Sequence, residues 1–287
     1  MSTEAFVRQL WQLYEPLHAV TYFAPQARAA FESIGLRGYW RGYFAGRAAP
    51  LGAAAAAPVT AVFFSFAPTM VARALPDVWQ RVSPDQALAA RLDGAVAALR
   101  AVLPPEPERW AQAADLLEIA AETAVTDGRA LGAANAALPR PSDTLARLWR
   151  AATVLREHRG DGHVAALVHA EVTGCQALVL RNALHGGREH LQPNRGWTDA
   201  DWDAAARALA TRGWLDDDAR PTATGKAAHR AVERRTDQLA AQPWTALSRA
   251  DQTRLSHALA PLAGAAEAVV PYPNPMGLPR PAHWARP

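Results

Sequence analysis

The sequence predicts an all-α, mainly helical protein carrying one small β-hairpin in its C-terminal half. Three observations lead there. Apolar residues recur at helical spacing along most of the chain, prolines and glycines punctuate the ends of those runs, and a short polar stretch, DDDARPT, separates two of them. The 287 residues hold 50% apolar and 20% charged side chains, the balance of a folded globule long enough to bury a sizeable core. The expected division is a helical N-terminal part over residues 1–140, a second part over 141–270 and a proline-rich tail over 271–287.

The elements follow in order. Ser2 and Thr3 with Glu4 cap a first helix, whose apolar face is Phe6, Leu10, Leu13, Leu17 and Val20 and which can kink at Pro16. Pro25 opens the next run, QARAAFESIGL, and Gly35 and Gly38 end it. The aromatic and glycine-rich segment GYWRGYFAGRAAPLG precedes APVTAVFFSFAPTMVARAL, which reads as a buried helix with strand as the alternative for Val59 to Phe66. Ser83-Pro84 is a cap followed by a first-turn proline, so a helix runs from there through Leu103. Helices over Glu108 to Val125 and Gly128 to Leu138 come next, bounded by prolines at 104, 105, 107, 139 and 141. Ser142 starts SDTLARLWRAATVLREH, expected to end at Gly160 and Gly162. Beyond the glycines lie HVAALVHAEVTGCQALVLRNAL, a Gly/Pro/Asn loop, TDADWDAAARALATRGWL, the polar hairpin and ATGKAAHRAVERRTDQLAAQPW. A last helix, SRADQTRLSHALAPLAGAAEAV, precedes an extended tail anchored by Tyr272 and Trp284.

From Gly162 to Gln242 the order is helix, helix, wing, helix, that of a winged helix. The stretch GWLDDDARPTATGKAAHRAVERRTDQLA, an apolar turn into a polar hairpin followed by a Thr-x-x-Gly helix entry, resembles the C-terminal half of a MarR-like domain. With LREHRGDGHVAAL before it, the chain resembles a bacterial family whose C-terminal half is a MarR-like winged helix. That resemblance implies a second helix lying in the major groove, a wing on the flanking backbone and a long helix that helps form a homodimer. It implies no particular activity.

Charge argues against the DNA part of that implication. Affinity for a duplex comes mainly from neutralised phosphates, and base edges are read by Arg, Lys, Asn or Gln at the start of the reading helix. Here that start carries Asp199, Asp201 and Asp203, and the wing tip carries Asp216, Asp217 and Asp218 against Arg220. Helix capping alone accounts for such acids, since a first-turn Asp interacts well with the helix dipole. Arg188, Arg195, Arg207 and Arg212 offer a different basic face, although the net charge is only +3 and Lys226 is the sole lysine. The single Cys175 excludes internal disulfides, the chain has no apolar run of roughly 18 residues, and its start has no apolar leader core. A cytoplasmic protein without a membrane segment is expected.

Two constellations can carry chemistry. Arg156, Glu157, His158, Arg159, Asp161 and His163 cluster where the chain is expected to turn through Gly160 and Gly162, beside a helix N-terminus able to hold an anion. The same residues also read as a plain helix corner. A metal site from His158, Asp161 and His163, with His169, has suitable residue types but no recognised spacing, so no metal is expected. On the first helix Tyr14, His18 and Tyr22 share a face; with Tyr39, Trp40, Tyr43 and Arg47 they can line a pocket for a flat apolar ligand, Arg47 taking its acidic group. A haem or other tetrapyrrole, with His18 near the metal, fits that lining, as does ordinary aromatic core. No serine elbow, phosphate loop or dinucleotide fingerprint occurs. The sequence therefore favours a small-molecule-binding protein on a winged-helix scaffold that has lost DNA reading. The alternative is a ligand-responsive regulator of the MarR type, and the third reading is an enzyme using His158 or His18 as acid and base.

Overall fold

A computed structural model describes residues 3–280. Ser2 of the first cap and Trp284 of the tail lie outside the described residues. The chain runs through α1 (Thr3–Phe23), α2 (Pro25–Ser33), α3 (Tyr39–Ala48), α4 (Ala56–Phe63), α5 (Pro68–Ala72), α6 (Pro84–Val102) and α7 (Pro107–Glu122). It continues through α8 (Ala130–Ala136), α9 (Thr144–His169), α10 (Gly174–His185), α11 (Arg188–Leu191), α12 (Asp199–Thr211), α13 (Ala223–Leu239) and α14 (Arg249–Ala266). No single helix among the described residues is long and apolar enough to cross a membrane.

Local chemistry sets most of these boundaries. Prolines occupy the first turns of α2, α5, α6 and α7, where their missing N–H costs nothing. Capping boxes start α6 at Ser83 and Gln86, α10 at Thr173 and Gln176, and α12 at Thr198 and Asp201. Pro16 sits inside α1 without ending it, because Leu10, Leu13, Leu17 and Val20 around it are fully buried. Helix α9 is the central beam: α1, α6, α7, α8 and α13 all pack on it. Its N-terminal part, with Leu148, Trp149 and Leu155, joins the largest core together with α1, α7 and α14. Its far end, Ala166 and Leu167, joins a second core made with Leu178, Trp202, Leu209 and Trp214. A third core, rich in phenylalanine, gathers Phe31, Phe44, Phe63 and Phe66.

Two expectations are corrected. The predicted winged-helix β-hairpin is absent: among the described residues there is no strand, and the stretch holds a single antiparallel bridge between Leu215 and Pro221. The turn is tied by side chain instead, with Asp216 Oδ1 accepting from the backbone N–H groups of Asp218 at 3.0 Å and Arg220 at 2.8 Å. Pro221 has no N–H for a ladder, and Thr222 already caps α13 by accepting from Gly225 N, so no length remains for a second strand. The all-α class stands without the hairpin.

The expected break at Gly160 and Gly162 is also absent, since α9 passes through both. Each glycine costs a helix about 1 kcal/mol relative to alanine, too little to outweigh the burial of both flanking stretches. Gly162 serves a close approach: a Cβ there would come within 2.8 Å of Arg129 Nη1 and 3.2 Å of Leu239 Cβ. Val59 to Phe66, for which strand was the alternative, is helical to Phe63 and then bends. In the tail, Leu278 and Val270 are buried against Ala19, with Tyr272 packed beside them.

Candidate functional site

Helices α10 and α12 pack on one another through Leu178, Val179, Trp202 and Leu209, with the short α11 and a turn over Pro193–Arg195 between them. That turn is pinned to the N-terminal half. The Ala67 N–H donates to Arg195 O at 2.8 Å, and Trp197 Nε1 donates to Ser65 O at 2.9 Å. Gly196 follows with φ +76°, and a Cβ there would strike Met70 at 2.5 Å, so only glycine closes this junction.

The acids at the start of α12 are largely engaged. Asp201 accepts from Thr198, which holds its carboxyl below the usual range. Asp199 accepts from Gln192 and from Arg188, with the same effect. Arg188 also stands 4.0 Å from Asp203, and Arg220 pairs with Asp218. Of the four arginines proposed as a basic face, Arg188 is thus paired. Arg212 donates to the carbonyls of Ala170 and Glu171 and covers the Trp214 ring, Arg195 turns inward, and Arg207 is exposed. A basic stripe missed in the sequence runs along α13, where Lys226, Arg230 and Arg234 follow at intervals of four and are all exposed, with Arg235 beside them.

The turn faces an aromatic cavity of about 340 Å³ that is open to solvent on one side. Tyr22, Tyr39, Trp40 and Tyr43 line it, as expected, together with Arg195 and Asn194 from the turn and Met276 from the tail. The rings are mutually packed, Tyr39 edge-on to Trp40 at 4.9 Å and Tyr22 tilted against Tyr43 at 5.2 Å. Arg195 lies over the Phe66 face at 4.5 Å and donates to Ser65 Oγ and to the carbonyls of Asn194 and Pro275. No local signal marks Arg195 in the sequence as part of this group: it stands some 150 positions from the aromatic patch.

The other candidate residues are placed as follows. Tyr14, His18 and Tyr22 share the α1 face, but Tyr14 points away from the cavity and packs on Trp244 at 5.8 Å between centroids. Around His18 the hydrogen bonds fix the tautomer. Thr153 donates its hydroxyl proton to Trp149 O, so its oxygen accepts from His18 Nδ1–H at 2.9 Å, and His18 Nε2 is left to accept from Tyr22 O–H at 2.9 Å. Burial, and then Arg156, hold His18 neutral, with its pKa well below the ordinary value. With both ring nitrogens engaged, neither faces a metal or a substrate.

Arg47 does take an acidic group, but a protein one: it grips Glu157 with two bonds of 3.1 Å. Arg156 donates to the same carboxylate at 2.8 Å and to Glu15 at 3.2 Å. Burial works against the Glu157 charge, and Arg156 and Arg47 override it, holding the carboxyl far below its usual range. Because α9 is continuous, the remaining residues fan out around it. Arg159 pairs with Asp237 at 2.8 Å and covers Trp11, and His163 bonds Thr236 at 2.9 Å, both toward α13. His158 and Asp161 face the opposite side, bonding Val125 O at 3.1 Å and Gly132 N at 2.8 Å. Burial lowers His158 to about 4 and raises Asp161 to about 6. The six do not converge on one space. Among the described residues no three His, Cys, Asp or Glu side chains group as a metal site.

Beside this network, Arg91 is buried with only Asn135 and the Trp149 ring for company, and its Nε lacks a partner. Burial lowers it to about 10.

A sequence model described as a helix-turn-helix family matches residues 7–273. No curated protein and no solved structure matches the chain.

Proposed function

The chain belongs to that helix-turn-helix family, and on this premise we propose that it is a ligand-responsive, DNA-binding transcriptional regulator of the MarR type, with α12 presented to the duplex. The family match, spanning both the α10–turn–α12 unit and the N-terminal half, is the observation that carries the reading. The ion pair of Asp199 with Arg188 supports it, because an acid matched by a guanidinium repels a phosphate less than a free one. The phosphate contacts fall to Arg207 and to the stripe of Lys226, Arg230 and Arg234 on α13.

Selection from randomised duplexes by the purified chain, followed by anisotropy titration at several salt concentrations, tests this. One sequence should be enriched, with affinity falling steeply as salt rises. Replacing Lys226, Arg230 and Arg234 together by Ala should flatten the slope of log K against log salt by about 0.9 for each lost phosphate contact. No enriched sequence at physiological ionic strength defeats the proposal, and the exposed acid of Asp217 at the turn tip then favours a small-molecule-binding protein that does not read DNA.

A further inference from the structure

The proline-rich tail, described as far as residue 280, touches the α10–turn–α12 unit at two places. Its anchors are Val270 and Leu278, buried on Ala19 of α1 with Tyr22, Phe23 and Met276 beside them. Between the anchors Asn274 ties the chain into a compact turn. Its side-chain amide donates to Pro271 O and Leu278 O, and its Oδ1 accepts from the N–H groups of Met276 and Leu278. From this turn Pro275 O accepts from Arg195 Nη2 at 2.8 Å, and Gly277 lies against the Arg181 guanidinium of α10. Glycine suits that contact: its φ is +77°, and a Cβ would stand 2.4 Å from Arg181 Cζ. Both contacts come from residues past 273, where the family match ends.

The tail is lightly seated. Among the described residues a single hydrogen bond, that of Arg195 with Pro275 O, joins residues 271–280 to the rest of the chain. Tyr272 keeps its hydroxyl buried without a partner, an arrangement that favours release into water. Pro275 and Met276 border the solvent-open cavity instead of a packed core. Segments with few buried apolar contacts and few hydrogen bonds open well below the free energy of global unfolding. We infer that residues 271–280 are a releasable latch on the α10–turn–α12 unit: docked, they join α1 to Arg181 and Arg195 and fix the turn into α12, and undocked they leave that turn loose. A loose turn has to be ordered at each encounter with a duplex, so undocking weakens DNA binding. That regulatory half rests on the DNA-binding reading; the latch itself does not.

The test uses two variants of the full chain, Leu278→Ser at the buried anchor and Gly277→Val against Arg181. Unchanged far-UV dichroism and unchanged hydrogen exchange over α6 and α7 check the fold of each. Oxidation of Met276 by dilute hydrogen peroxide, followed by mass spectrometry, reports docking and should quicken about fivefold or more in both. Exchange over residues 193–203 should then rise about tenfold or more. Affinity for the selected duplex should fall about fivefold or more with the salt slope kept, because no phosphate contact is removed. Met276 oxidation at the parent rate in both variants, or unchanged exchange over 193–203 in a chain whose Met276 has become reactive, overturns the latch. Unchanged or tighter DNA binding by a chain with its tail undocked removes the regulatory half. A parent chain that selects no duplex defeats the DNA-binding reading alone, and the exchange result then decides the latch by itself.

Discussion

Arg47 and Arg195 each lie over a ring of one aromatic cluster, and they are held in different ways. Arg47 covers Phe63 at 4.1 Å and is clamped by Glu157; Arg195 covers Phe66 at 4.5 Å and meets only a hydroxyl and carbonyls. A buried charge that is paired within the chain has a structural task already. One that is steadied by neutral groups is oriented but not balanced, and that difference separates the beam of the fold from the turn before α12.

The largest expected effect comes from breaking the paired side. Glu157→Gln strands Arg47 in the interior, leaves Arg156 with Glu15 alone, and should cost about 3–5 kcal/mol in urea unfolding. Arg195→Met removes bonds to neutral acceptors alone and should cost about 1 kcal/mol; comparable losses in the two variants would erase the distinction. A smaller effect comes from pH. His158 titrates at about 4 in the folded protein against 6.5 unfolded, so the unfolded chain binds the extra proton and stability falls as pH drops from about 6.5 to 4. Between pH 7 and 4 the parent should lose about 2–3 kcal/mol more than His158→Gln. Asp161, raised to about 6 from 3.8, works in the other direction over pH 6 to 4, so Asp161→Asn should steepen the acid loss. Parallel stability curves for parent and His158→Gln would show that His158 does not contribute. The smallest effect separates the two glycines of α9. Gly160→Ala meets nothing closer than 3.8 Å and should stabilise by about 0.5–1 kcal/mol, whereas Gly162→Ala crowds Arg129 and Leu239 and should destabilise. Equal shifts in thermal midpoint would contradict the close approach at Gly162.

Much of the helical path was legible, because prolines and caps act within a single turn of chain: Ser83-Pro84 and Thr198 mark their helices without tertiary help. The hairpin was misread because DDDARPT suits a polar turn equally well whether strands flank it or not, and only Thr222 capping α13 decides the matter. Gly160 and Gly162 were misread because a glycine that breaks a helix and one that admits a neighbour look alike until Arg129 and Leu239 are in place. The aromatic lining was partly legible through the spacing of Tyr22 with His18 and of Tyr39 with Tyr43. Arg195, Asn194 and Met276, brought in from distant segments, were not. The Arg156 to His163 run showed its residue types but not their directions, which the continuity of α9 decides.

That continuity limits how the molecule can be dismantled. At 26 residues α9 spans about 39 Å, with Leu148 and Trp149 in the N-terminal core and Ala166 and Leu167 in that of the proposed reader. A fragment cut at residue 141 to isolate the reader would carry Leu145, Leu148 and Trp149 into solvent as an uncovered stripe and self-associate through it. The smallest soluble version of the reader therefore includes the bundle that shelters this helix.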